Sequence, residues 1–148
     1  MTCTTDDSKL GEFNRFVYFG AIQMNTYGFT PIEWERALNE ATEILIKRAK
    51  ANTPISYSDF VSELRCIQLD AYDYRLFHLL EQVSEIENKN GRGMLSALVI
   101  NRSEGLPGAG FFTLAQHLGR SGVSDELKFW ITELRKVHEY WSNDKNTP

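Results

Sequence analysis

Apolar residues after Thr30 recur with the 3.6-residue period of an α-helix. Thr30 can cap the first turn, Pro31 fits the first helical position, and Glu33 completes a capping box. Acidic side chains lead this segment and basic side chains close it, as the helix dipole favours. The pattern predicts a long helix that ends at Asn52-Thr53-Pro54.

Three later segments also have helical spacing. One begins at Ser56, whose hydroxyl can cap with Asp59 three residues on. The next runs from about Asp73 until Asn88-Lys89-Asn90-Gly91 breaks it. The last begins near Ser124 and continues to Trp141, with acidic residues in its first turn. The chain is therefore predicted to be rich in helices.

The remaining apolar segments are shorter. Met94–Ile100 is apolar and β-branched toward its end, so it is predicted to be a buried strand. A glycine-rich loop from Gly105 to Gly110 then leads into a short helix over Phe111–Leu118. Residues 13–29 are dense in aromatic side chains and should pack on the core, as either a strand or a short helix.

These elements predict one α-rich α+β domain over residues 1–148. Residues 1–12 are expected to form a mobile tail, residues 54–112 a winged-helix-like centre, and residues 124–141 a C-terminal helix packed across that centre. We expect four or five helices around a small sheet.

Composition narrows the class of protein. A chain of 148 residues with 42% hydrophobic residues can build a core without metal or disulfide staples. No apolar run approaches the ~20 residues that span a bilayer, and the polar, acidic start does not have the features of a signal peptide. We therefore expect a cytoplasmic protein with no membrane partner, and reduced thiols at Cys3 and Cys66.

Charge is unevenly distributed along the chain. The net charge is −4, which disfavours nonspecific binding to phosphates. Residues 53–90 carry three basic and seven acidic side chains, whereas residues 91–124 carry three basic and one acidic. The basic side chains of the second segment are Arg92, Arg102 and Arg120, near the glycine loop.

The order of elements resembles the winged-helix half of the alkyltransferase-like DNA repair proteins. A helix opening on Ile55-Ser-Tyr-Ser-Asp-Phe-Val61 is followed by a second helix, a strand, a tight loop and aromatic residues, over about residues 54–112. In that family the strand reads Pro-Cys-His-Arg-Val and bears a reactive cysteine. Met94–Ile100 has no cysteine, histidine or arginine, and the missing cysteine excludes alkyl transfer. The resemblance therefore implies only the winged-helix topology.

A second resemblance covers roughly residues 53–141. The runs Gly91-Arg-Gly-Met-Leu95 and Leu106-Pro-Gly-Ala-Gly-Phe-Phe112, together with Phe129–Trp141, look like small uncharacterised bacterial proteins that carry the same Gly-Arg-Gly-Met-Leu and Pro-Gly-x-Gly-Phe-Phe motifs. This resemblance implies a bacterial or phage source and no particular activity.

The glycine loop is a candidate binding element. Backbone NH groups between a strand and a helix can hold an anion, and Gly108 and Gly110 give this loop its freedom. The plainer interpretation is that the glycines satisfy turn geometry while Phe111 and Phe112 fill the core. No Gly-Lys-Ser or Gly-Lys-Thr follows, so a P-loop nucleotide site is not indicated.

Outside the glycine loop, the sequence gives little indication of a metal site or a catalytic residue. His78, His117 and His138 lie on separate predicted helices, without a second ligand at metal-binding spacing. Ser96 does not have the Gly-x-Ser-x-Gly surroundings of a nucleophile elbow. The sequence therefore predicts no metal or cofactor and favours a non-enzymatic role.

The predicted helix over residues 73–88 indicates the kind of partner. It carries Asp73, Glu81, Glu85 and Glu87 against the single Arg75, so it should repel DNA phosphates and attract a basic protein. We expect a protein-binding module with a role in defence or regulation, able to neutralise or regulate a basic partner.

Two alternatives stay open. The first is a winged-helix nucleic-acid-binding protein that contacts phosphates through Arg92, Arg102 and Arg120. The second is an enzyme or small-anion-binding protein with its site at the Gly105–Gly110 loop, near His117 or Ser96.

Overall fold

A computed structural model describes residues 26–143. The expected tail over residues 1–12 and most of the aromatic segment 13–29 lie outside this range. In chain order the elements are α1 (Pro31–Ala51), β1 (Ile55–Ser56), α2 (Tyr57–Glu63), α3 (Tyr74–Lys89), a 3₁₀ helix (Leu95–Leu98), β2 (Val99–Ile100), α4 (Ala109–His117) and α5 (Glu126–Ser142). The predicted α-rich α+β class is confirmed.

The predicted capping box of α1 is present. The Thr30 hydroxyl accepts a hydrogen bond from the Glu33 amide at 3.2 Å, and the Glu33 carboxylate accepts one from the Thr30 amide at 2.9 Å. At the other end Asn52 adopts a left-handed conformation with φ of +53°, and its amide donates to the Ala49 carbonyl. Local sequence signals therefore determine both ends of this helix.

Three further helices, α2, α3 and α5, also begin with side-chain caps close to the predicted positions. Ser56 caps α2, Asp73 caps α3 and Asp125 caps α5, each accepting a hydrogen bond from an amide in the first turn. The predicted starts at Ser56, Asp73 and Ser124 are thus within two residues of those observed.

The prediction of a strand over Met94–Ile100 is wrong for most of its length. Leu95–Leu98 forms a 3₁₀ helix, and only Val99–Ile100 is a strand. Side chains of other elements satisfy the backbone here. The Ser96 amide donates to the Ser84 hydroxyl at 3.0 Å, and the Met94 amide donates to the Glu133 carboxylate at 2.8 Å. Because these donors have partners in α3 and α5, they need no neighbouring strand.

The described sheet has two short parallel strands. Ile55 pairs with Val99 and Ser56 pairs with Ile100. After β2 the chain turns back through Gly105, whose φ is +70°, and Leu106 forms an antiparallel bridge with Asn101.

Among the described residues, two groups of buried side chains form the core. The larger lies between α1, α3 and α5, where Trp34, Leu38, Leu79 and Val137 are fully buried. The smaller group lies beneath α4 and contains Met94, Phe111, Phe112, Leu114, Val123 and Phe129. Among residues 26–143 no helix is both long and apolar enough to cross a membrane.

A buried carboxylate holds the connection between α2 and α3 against α1. Glu40 accepts hydrogen bonds from the amides of Arg65 and Cys66, at 2.8 Å and 3.0 Å. Cys66 is disulfide-bonded, which corrects the expectation that its thiol is reduced. The connection leads to Tyr72 and the start of α3, where the candidate site lies.

Candidate binding site

One side of α3 carries aromatic and acidic side chains, of which two rings are exposed and the others are half-buried. We call Tyr74, Phe77, His78, Glu81 and Glu85 the α3 face. Their spacing of three and four residues places them on one side of the helix, opposite the apolar residues that enter the core. Tyr74 is 62% exposed and Phe77 is 42% exposed, which is unusual for large rings on a helix that packs in the core.

The rings of the α3 face support one another and their neighbours. His78 stacks on Tyr27 with a centroid distance of 4.4 Å, and Tyr74 meets the His78 ring edge-on at 6.0 Å. Phe77 contacts Tyr57 of α2 edge-on at 6.1 Å. The aromatic end of the face is therefore anchored by ring contacts before any partner binds.

The acidic end of the face concentrates negative charge. Glu81 and Glu85 are one helical turn apart. Burial raises the pKa of Glu85, and the nearby Glu81 charge raises it further. Burial also raises the pKa of Tyr27, with the charges of Glu81 and Glu85 adding to the effect. A cation placed between the two carboxylates would relieve their repulsion.

Asp73, the third predicted acidic contact, has a local role. Its carboxylate caps α3 and pairs with the Arg75 guanidinium, with Oδ2 and Nη2 at 2.7 Å. Hydrogen bonding from Arg75 lowers the pKa of Asp73. Since Arg75 already compensates this charge, Glu81 and Glu85 carry the negative field of the α3 face.

The structure places Arg92 and Arg120 in buried ion pairs. Arg92 binds the carboxylate of Glu87, and its guanidinium carbon lies 5.9 Å from the Trp141 ring centre. Arg120 binds Glu133 through both terminal nitrogens, with Nη1 and Oε2 at 2.8 Å. Hydrogen bonding to Glu133 raises the pKa of Arg120 above its usual range. Both guanidinium charges are thus compensated inside the protein.

Arg102 has a different environment. Its side chain is 71% exposed, and its Nη2 donates to Asp59 Oδ2 at 2.8 Å and to Ser56 Oγ at 3.3 Å. Of the three arginines singled out from the sequence, this is the one that faces solvent, and it contacts residues at the start of α2, away from the other two pairs.

The glycine loop is mainly a packing element. The Gly108 amide donates to the Tyr57 hydroxyl at 2.9 Å, so that amide already has a partner. Burial raises the pKa of Tyr57. Gly110 is exposed beside Phe77, while Phe111 and Phe112 are buried in the smaller core group. The arrangement agrees with the plainer interpretation of this loop.

The candidate catalytic residues do not form a site together. Ser84 donates to the buried Ser96 hydroxyl at 2.6 Å, and the adjoining cavity of about 60 Å³ is far below the ~300 Å³ of an ordinary ligand pocket. His117 is exposed at the end of α4 and does not line that cavity. His138 Nδ1 lies 2.8 Å from the Ala49 carbonyl oxygen, as expected for a hydrogen-bonded boundary residue.

A larger cleft brings together residues that no sequence motif connects. It measures about 270 Å³ and is lined by Ser56, Tyr57, Ser58, Ala71, Tyr72, Ile100, Asn101, Arg102 and Ser103. Three segments distant in sequence supply these residues, so periodicity and local motifs could not join them. The local signals were Arg102, one of the three arginines singled out from the sequence, and a tyrosine at position 72, directly before a predicted helix.

Within the described residues, no group of three or more histidine, cysteine or carboxylate side chains is placed to hold a metal ion. No protein-family model, no curated protein and no solved structure matches this chain.

Proposed function

We propose that this chain is a non-enzymatic binding module whose α3 face holds a basic protein partner, which it neutralises or regulates. The observation that carries the proposal is the placement of two exposed rings, Tyr74 and Phe77, directly beside two carboxylates, Glu81 and Glu85. An apolar side chain of the partner would cover the rings, and an arginine or lysine would meet the carboxylates.

The energetics of such a contact favour recognition. Burying exposed aromatic area contributes about 25 cal/mol per Å², and aromatic anchors commonly dominate the affinity of an interface. A guanidinium over an aromatic ring adds about 0.5–2 kcal/mol, depending on how far it is desolvated. The tyrosine and phenylalanine rings are already held by neighbouring rings, so little side-chain freedom would be lost on binding.

A winged-helix-like centre over about residues 54–112 belongs to the same proposal. The order β1, α2, α3, β2 and the return at Leu106 supports it, although β1 pairs with β2 in parallel. The second helix of such a centre normally enters the major groove of DNA. Here that helix exposes Glu81, and Arg92 and Arg120 are compensated by carboxylates, which favours a protein partner over a nucleic acid.

Peptide display can test the chemistry of the partner before the partner itself is identified. Random peptides would be selected on the intact chain and their dissociation constants measured by fluorescence anisotropy. We expect the selected peptides to combine arginine or lysine with an apolar residue. Phe77→Ala should weaken binding at least about tenfold, equivalent to ~1.4 kcal/mol. Glu81→Gln together with Glu85→Gln should weaken it and reduce its salt dependence.

Matched controls lie on α5. Leu127→Ala removes an exposed aliphatic side chain and Glu139→Gln an exposed carboxylate, and neither belongs to the α3 face. Selected peptides that bind the Phe77→Ala variant as well as they bind the wild type would contradict the proposal. Salt-dependent DNA binding that disappears in Arg102→Ala would instead support the nucleic-acid alternative.

A cytoplasmic location also belongs to this proposal, and Cys66 provides its test. Cys66 is disulfide-bonded in the structure, whereas disulfides are rare in reducing compartments. Alkylating free thiols in intact host cells before lysis would report whether the bond exists there. A cytoplasmic protein should be labelled at Cys66, and full protection of that thiol would place the chain in an oxidising compartment.

A further inference from the structure

The cleft beside Arg102 arises from the topology of the sheet. Ser56 and Ile100 are register partners at the carboxyl ends of two parallel strands. Beyond them the chain enters α2 on one side and the turn at Asn101 on the other. When neighbouring parallel strands continue in different directions, a crevice opens at their carboxyl ends, and ligands of α/β proteins bind in such crevices. Ala71 and Tyr72, just before α3, complete its wall.

The polar groups that line this cleft are five hydroxyls, one amide and one guanidinium. Within the described part of the chain, the hydroxyls of Ser58 and Tyr72 make no hydrogen bond, and Arg102 donates through Nη2 alone. The Nε and Nη1 groups of Arg102 therefore remain available to a ligand. A site with spare donors and one guanidinium suits a ligand rich in acceptors and negative charge.

Arg102 also holds a carboxylate. Asp59 pairs with Arg102 at 2.8 Å, and both side chains are more than half exposed. Solvent-exposed ion pairs of this kind are weak, so an anion with more acceptor atoms can displace Asp59 from the Arg102 guanidinium. A phosphate monoester carries nearly two negative charges and three acceptor oxygens, which makes it a better partner for a guanidinium than a carboxylate.

Size and shape limit the rest of the ligand. A volume of about 270 Å³ accommodates a phosphoryl group with a small organic substituent and excludes a dinucleotide. Tyr57 and Tyr72 provide apolar walls, and Tyr72 is 92% exposed, so a ligand would cover it. From this geometry we infer that the cleft binds a phosphate monoester, with Arg102, Ser58 and Tyr72 contacting its oxygens.

This site shares no residue with the α3 face, although Tyr57 of its lining contacts Phe77. Its ligand is either a free small molecule or a phosphorylated side chain of another protein. Both sources present the same phosphoryl group. An NMR titration of the ¹⁵N-labelled full chain at low ionic strength can compare free phosphoserine with a short phosphoserine peptide. We expect chemical-shift changes confined to residues 56–58, 71–72 and 100–103 with at least one of these two ligands. The ligand with the lower dissociation constant identifies the source.

Two variants with opposite expected effects make the test decisive. Arg102→Ala should weaken binding at least about tenfold, because it removes a charge-assisted hydrogen-bond donor. Asp59→Asn should strengthen binding severalfold, because it removes the competing carboxylate and frees the guanidinium. Arg135→Ala, at an exposed arginine on α5, should leave the dissociation constant unchanged.

The unphosphorylated serine peptide should cause no shifts in the cleft. The inference is overturned if phosphoserine and its peptide leave residues 56–58, 71–72 and 100–103 unshifted. It is equally overturned if Arg135→Ala weakens binding as much as Arg102→Ala, since binding would then reflect net charge alone. Unchanged or weaker binding in Asp59→Asn would also refute the assigned geometry.

Discussion

Replacing Arg120 by alanine tests whether this arginine is structural, as the ion pair with Glu133 indicates, or available to phosphates, as one sequence-based alternative required. Glu133 is 1% exposed and accepts hydrogen bonds from Arg120 and from the Met94 amide. In Arg120→Ala the Glu133 carboxylate keeps its hydrogen bond from the Met94 amide but loses the positive charge that compensates it. A buried charge left without its partner costs far more than the loss of a surface contact.

The magnitude follows from this geometry. Removing one partner of a buried ion pair costs about 3–5 kcal/mol. The Arg120 side chain is 22% exposed and the Met94 amide remains, so the lower end of this range applies. A loss of ~3 kcal/mol is a large fraction of the about 5–15 kcal/mol that stabilises an ordinary domain. At this chain length it should lower Tm by roughly 10 °C.

Urea denaturation followed by circular dichroism measures the free energy of unfolding of each variant. Arg135→Ala serves as the control, because that arginine is exposed on the same helix as Glu133, and its loss should change stability by less than about 0.5 kcal/mol. Arg120→Ala combined with Glu133→Gln should recover at least about 1 kcal/mol relative to the single variant. A single variant that loses less than ~1 kcal/mol, or a double variant with no recovery, would refute the buried-charge explanation.

Three further changes have definite expected outcomes. Gly93→Ala should lower Tm and cost about 1–3 kcal/mol, because φ is +91° and the new Cβ would lie 2.9 Å from Val137 Cγ2; an unchanged Tm would contradict this. Thr30→Ala should cost about 1 kcal/mol in urea denaturation, while Thr30→Ser should retain most of the cap. Because the pKa of Glu85 is raised in the folded state, protonated Glu85 stabilises the fold at pH values below its ordinary pKa of 4.5. This contribution is lost as the pH rises through the pKa of the folded state. Glu85→Gln should therefore stabilise the fold by about a few tenths of a kcal/mol at neutral pH and lose this advantage in acid, which a pH series of denaturation curves would show.

The helices could be predicted from the sequence because their signals are local. The capping box at Thr30, the cap at Ser56 and the 3.6-residue periods all involve residues within a few positions of one another, and the structure has them as expected. The acidic character of the α3 face was visible in the same way, since residues three and four apart share one side of a helix.

The conformation of Met94–Ile100 could not be predicted in this way. Its apolar, β-branched residues fit a buried strand, and the same apolar residues also suit any other buried segment. Ser84 and Glu133, which lie 12 and 39 residues from their backbone partners, satisfy the amides and allow a 3₁₀ helix instead. Hydrogen bonds at that separation have no periodic trace in the sequence.

The candidate sites also depend partly on local sequence and partly on tertiary packing. The sequence alone determined which segments become helices and where acidic, basic and aromatic side chains stand along each of them, because these properties depend on neighbours a few residues apart. Only the tertiary structure decided that Arg92 and Arg120 meet buried carboxylates, that Arg102 stays exposed, and that three distant segments enclose a cleft. Burial and charge compensation depend on which elements pack together, and that packing is set by the apolar core as a whole.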